Sequence, residues 1–97
     1  MEKEIVLIAK FIAKTGEENN VREALLSLVN PTRKEKGCIL YNFHIETDNN
    51  NSFIFYEIWE NKESFDLHSQ TNHFKNVMNE IKDLLDKPIE VIFLNKQ

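Results

Sequence analysis

Three segments of this chain are apolar at both parities, and that pattern restricts the fold more than any other feature. Residues 4–14 read EIVLIAKFIAK, residues 53–60 read FIFYEIWE and residues 89–94 read IEVIFL. Side chains of a strand alternate between faces, so a run that is apolar at nearly every position belongs to a sheet with both sides covered. A fourth segment, residues 38–47, alternates instead. Ile39, Tyr41, Phe43 and Ile45 share one face and Asn42, His44 and Glu46 the other. It reads as a strand with a single apolar side.

Helical spacing fills the intervals. Within residues 17–35, Val21, Leu25, Leu28 and Val29 recur on one face, and Glu17 and Glu18 stand in the first turn, where the helix dipole favours acids. Pro31 lies inside this span and either kinks the helix or starts a short second piece reaching Lys36, with Gly37 as its left-handed cap. The Asp-Asn-Asn-Asn-Ser stretch at 48–52 is turn chemistry and makes a hairpin. Asn61 caps a helix that begins KESFDLH and breaks near residues 69–72. Thr71 then caps a longer piece carrying Phe74, Val77, Met78, Ile81, Leu84 and Leu85, closed by Pro88.

The resulting order, β-α-β-β-α-β, predicts a ferredoxin-like α+β domain spanning residues 1–97, with two helical layers on one face of a four-stranded antiparallel sheet. Its other face would stay apolar and open. A second copy related by two-fold symmetry is the simplest cover, so a homodimer is expected.

Composition narrows the partners. With 41% hydrophobic and 29% charged residues in 97, the chain reads as a soluble globular domain. A formal charge of −4 with dispersed Lys and Arg gives no footprint for nucleic acid. Neither a signal peptide nor a run of membrane-spanning length is recognisable, so a cytoplasmic setting is expected and a membrane is not. The single Cys38 excludes an intrachain disulfide and a multi-cysteine metal site.

Four residues stand out as chemistry. Glu57 shares a strand face with Phe53, Phe55 and Trp59, so its carboxylate must be paired, with Arg33 or Lys10 as candidates, or must act as an acid or base. Trp59 ends that strand where an indole can line a cleft between sheet and helices. His68 and His73 flank the helix break. Their spacing fits no established metal motif, so no metal is expected, and His68 is the better candidate for moving a proton near neutral pH. No Gly-rich phosphate cradle is present, so no nucleotide or flavin cofactor is expected.

Taken together, PTRKEKGCILYNF (31–43) and FIFYEIWENKESFDLHSQTNHF (53–74) resemble the antibiotic-biosynthesis-monooxygenase (ABM) family, in particular its quinol-monooxygenase type. The resemblance implies a dimeric α+β barrel that oxygenates a small aromatic or quinol-like substrate with O2 and without flavin, haem or metal. In it, Trp59, Phe55, Phe65, Tyr41 and Phe74 would clasp the ring and Arg33 would assist binding. His68 would take the proton, with His73 or Glu57 as second choice. Relatives acting on polyketides carry an Asn and a Tyr where this chain has Phe55 and Phe65, which moves the expected substrate towards smaller rings. Two alternatives remain. One is an isomerase of a phosphorylated autoinducer-type sugar, suggested by Thr71, His73 and Phe74. The other is a non-catalytic dimeric ligand-binding or stress protein.

Overall fold

A computed structural model describes residues 3–97. In chain order the elements are β1 (Ile5–Ile12), α1 (Glu18–Leu26), α2 (Val29–Arg33), β2 (Cys38–Ile45), β3 (Ser52–Trp59), α3 (Lys62–His68), α4 (Asn72–Ile81) and β4 (Glu90–Leu94). All strand pairs are antiparallel, in the order β2-β3-β1-β4. This is the expected ferredoxin-like α+β fold.

Both helical layers are split. The first breaks before Pro31: α1 ends at Leu26 and α2 starts at Val29, which leaves the proline in the first turn of α2. Its missing N–H costs nothing there, because first-turn amides have no acceptor within the helix. The second layer breaks where its caps require. The Asn61 side chain accepts from the Ser64 amide at 2.8 Å, and the Thr71 hydroxyl accepts from the Phe74 amide at 3.3 Å. The expected helical reach to Leu85 is not met, since α4 stops at Ile81. The end of β1 captures the backbone that follows: Lys14 N–H donates to the Leu84 carbonyl and Asp86 N–H to the Ile12 carbonyl, each at 2.8 Å.

The strand period divides the sheet sharply. Leu7, Ala9 and Phe11 of β1 and Phe53, Phe55 and Trp59 of β3 face the helices and are buried, joined by Val21, Leu25, Leu28, Val77 and Ile81. On the outer face Val6 stands beside Ile58 and Leu94, and Ile8 beside Tyr56 and Ile92. These positions are half-buried or exposed. The edge strand β4 is exposed on both faces, with Val91 at 44% and Phe93 at 61%. A single chain therefore leaves about one sheet face uncovered.

Gly37 fixes how α3 meets the sheet. Its φ is +87°, and a β-carbon added there would run into the side chain of Ser64 in α3. Gly16 has a similar φ of +92° but faces open space. G37A should therefore destabilise the chain by at least about 2 kcal/mol, through left-handed strain plus overlap. G16A should cost only about 1 kcal/mol, from the backbone alone. Urea unfolding of the two variants checks the ranking.

Candidate active site

The inner face of β3 carries a carboxylate in an otherwise apolar row. Glu57 is buried, and its Oε1 accepts a hydrogen bond from Trp59 Nε1 at 2.9 Å, between neighbours on the same side of one strand. The expected salt bridges to Arg33 or Lys10 are not formed. Lys10 pairs instead with Glu46 at 3.5 Å. Arg33 donates from Nε to the Tyr41 carbonyl and from its guanidinium to Asn42 Oδ1, each at 3.1 Å. With no cation on it among the described residues, Glu57 is pushed up to about 7. Burial is the main cause and the negative charge of Glu35 adds to it, while the indole N–H opposes both.

His68 ends α3 and is buried with its ring among three others. Its centroid lies 4.8 Å from Trp59, 4.8 Å from Phe74 and 5.6 Å from Tyr41. Its Nδ1 is 2.8 Å from Glu35 Oε2. Burial lowers its pKa, against the contrary pull of the Glu35 hydrogen bond and charge, so the imidazole is neutral at physiological pH. With Nδ1 engaged, Nε2 on the far side of the ring is the atom left for other chemistry. His73, the second residue of α4, reaches the same Glu35 oxygen with its Nε2 at 2.7 Å.

Between sheet and helices lies a cavity of about 90 Å³, walled by Tyr41, Phe55, Glu57, Phe65, His68 and Phe74 together with Leu7, Ala9 and Phe11 of β1, Ser69, Ile89 and Val91. Six residues singled out in the sequence thus meet in one place. Three do not reach it. Trp59 is wholly buried behind the wall, where it orients Glu57 and packs on His68. His73 lies beyond Glu35, and Arg33 braces β2 from outside. No Lys or Arg lines the cavity. The volume suits dioxygen or a few waters but falls below the roughly 150 Å³ of an apolar cavity that accepts benzene. Phe74 and Ile89 separate it from an open groove of about 580 Å³ whose floor includes Met78, Ile81, Leu85 and Pro88.

Glu35 is the site residue that sequence reasoning missed. It sits between Lys34 and Lys36 in the turn after α2, a context that reads as solvated surface. Cys38, by contrast, carries no chemistry: burial and the nearby Glu35 push its thiol up to about 11, so it stays protonated.

The sequence model of a family described as antibiotic biosynthesis monooxygenase matches residues 4–80. The chain belongs to the ABM family. Among relatives it is 40% identical over 65 residues to the uncharacterised protein sll1783 of Synechocystis, which covers 67% of this chain but 44% of that protein. It thus spans less than half of that relative. It is 26% identical to "Putative monooxygenase Rv0793" of Mycobacterium tuberculosis, over 97% of this chain and 92% of that one. The crystal structure of PA3566 from Pseudomonas aeruginosa superposes with a TM-score of 0.93 at 27% identity, covering 100% of this chain and 97% of the other. No described helix is long and apolar enough to cross a membrane.

Glu57 links the site to stability. Above pH 7 the folded and unfolded chains both carry the charge, and the cost of burying it is complete. Below the ordinary carboxyl value of 4.5 neither carries it and the cost vanishes. Stability should therefore fall as pH rises through this window, by up to about 3 kcal/mol. E57Q, whose amide oxygen can still accept from Trp59, should flatten that slope and exceed the parent in stability at pH 8. Urea titrations at a series of pH values read both effects.

Proposed function

We propose that this ABM protein is a cofactor-independent monooxygenase of small, electron-rich phenols or quinols. The observation that carries the reading is the pair of buried groups on one aromatic cavity: His68, neutral and held by Glu35, and Glu57, with a pKa near neutrality. His68 Nε2 takes the phenolic proton. The resulting anion gives an electron to O2 and the two recombine as a ring peroxide. The peroxide takes back the proton held by His68, loss of the C–H proton from the carbon that bears it breaks the O–O bond, and Glu57 in its acid form protonates the departing hydroxide to water. The other oxygen atom stays on the ring as the quinol becomes a hydroxyquinone, and the C–H proton restores the Glu57 acid. The protein supplies orientation, a base and a water-poor cavity, and each acts at a named group.

Tyr41, Phe55, Phe65 and Phe74 are the proposed ring contacts. Because the cavity holds less than one aromatic ring, substrate enters by displacing Phe74 and Ile89 from the groove side. Burial keeps the Tyr41 phenol protonated, so it serves as a wall and not as a second base. Arg33 and His73 are left to support β2 and Glu35. A phosphorylated sugar is not favoured, since the cavity presents aromatic rings and a carboxyl group where a phosphate needs convergent cations.

The working form is proposed to be a homodimer in which the outer faces of two sheets pack together. The half-exposed Val6, Ile8, Tyr56, Ile58, Ile92 and Leu94 supply the apolar surface for it. A reducing cytoplasm suits the unpaired Cys38.

Two measurements test these statements. In an oxygen electrode with a panel of quinols, H68A should lose about 10²–10⁴-fold in kcat. Unchanged turnover in H68A, or quinol loss as fast without O2 as with it, would sink the oxygenase reading in favour of a binding protein. For the dimer, sedimentation should give twice the chain mass, and I8E should give a folded monomer. A monomeric parent chain would contradict it.

A further inference from the structure

Glu35, His68 and His73 make a constellation that the proposed chemistry does not fully use. Oxygenation as described needs one imidazole and one orienting carboxylate. Here two imidazole nitrogens, His68 Nδ1 at 2.8 Å and His73 Nε2 at 2.7 Å, converge on the same oxygen of the same carboxylate. All three donor atoms lie within 4.8 Å of one another. We propose that Glu35, His68 and His73 form a binding site for a divalent first-row transition-metal ion, of which Zn2+ is the simplest representative.

Position and packing favour an ion. Each donor comes from a different element: the turn after α2, the last residue of α3 and the first turn of α4. The break between the last two is closed by hydrogen bonds: the Thr71 hydroxyl donates to the His68 carbonyl at 2.7 Å while accepting from the Phe74 amide. Linear spacing of the histidines gave no reason to expect a metal. The fold brings the missing carboxylate from 33 residues upstream of His68.

Charge argues the same way. Among the described residues, the hydrogen bonds and ion pairs of the Glu35 carboxylate are with these two imidazoles alone, and the side chain is only 11% exposed. A carboxylate so enclosed, with no Lys or Arg on it, is a poor arrangement for an ion pair and a good one for a dication. Two imidazole nitrogens and one carboxylate oxygen suit a borderline metal better than Mg2+ or Ca2+, which prefer all-oxygen shells.

Donors on a tetrahedral zinc with bonds of 2.0–2.2 Å stand about 3.4 Å apart, so the carboxylate oxygen would recede by roughly half an ångström and the nitrogens, within 4.8 Å of each other, would close by up to about 1.4 Å. Three protein ligands leave a fourth position for water, and the 27% exposed side chain of His73 marks the solvent side by which an ion arrives. This inference does not rest on the oxygenase reading: an ion on His68 Nδ1 would leave the ring proton on Nε2, so metal binding and the base role belong to different states of the chain.

The test is calorimetric titration of the untagged, EDTA-treated chain with Zn2+ alone. The expected result is one ion per chain with Kd at or below about 1 µM. H73A, at a partly exposed position that should fold normally, and E35Q, close in shape to the parent, should each weaken binding at least about 100-fold. H44A, on the exposed side of β2, should leave it unchanged. No saturable binding, or equal affinity in H73A and E35Q, or loss of the site in H44A, would overturn the proposal. Circular dichroism of each variant confirms that a loss reports on ligands and not on folding.

Discussion

A strand has a side-chain period of two, and in β3 that period places a carboxyl group in the most hydrophobic row of the protein. Phe53, Phe55, Glu57 and Trp59 must all face the helices or none can, because a shift of one residue would turn every one of them outward. The apolar gain from burying three aromatic side chains far exceeds the cost of burying one carboxyl group, so Glu57 goes inside with them. Everything nearby then adjusts to that group. Trp59 gives it one hydrogen bond, no cation reaches it, and its acidity shifts towards neutrality.

The same constraint organises the rings. Tyr41 stacks on Phe55 at 4.7 Å and Phe43 packs against Phe55 at 4.8 Å, so β2 and β3 present a continuous aromatic floor. The split in the second helical layer drops His68 onto the end of that floor, against Trp59. An unbroken helix from 62 to 81 would carry His73 past it. Glu35 then reaches across from the turn after α2 and holds the imidazole by Nδ1. The proposed function rests on two buried titratable groups lining one aromatic cavity, each shifted by burial in the direction that chemistry would need.

Much of this was legible in the sequence. Apolar character at both parities correctly placed β1 and β3 in the middle of the sheet but not β4, which is an exposed edge strand, and Asn61 and Thr71 announce their caps by residue type and position. The cavity-lining residues Tyr41, Phe55, Glu57, Phe65, His68 and Phe74 were legible because period-two and helical spacing both point inward at them. What escaped is tertiary. Leu84 and Leu85 continue the helical spacing, and only hydrogen bonds to the end of β1 pull them off the helix. Glu35 carries the look of a solvated lysine-flanked acid, and nothing local betrays that two histidines more than 30 residues away will enclose it. Trp59 is expected at the site from its place at the end of β3 and Arg33 as a cation for Glu57, yet packing sends one behind the wall and the other outside it.

The state of one nitrogen decides between a poised base and a structural histidine. In the metal-free chain at neutral pH, 15N-resolved NMR of the His68 ring reads its protonation and tautomer directly. A neutral imidazole with the proton on Nδ1, facing Glu35, and a bare Nε2 is the result expected of a group ready to accept a phenolic proton. A proton on Nε2 in the resting protein would contradict that role.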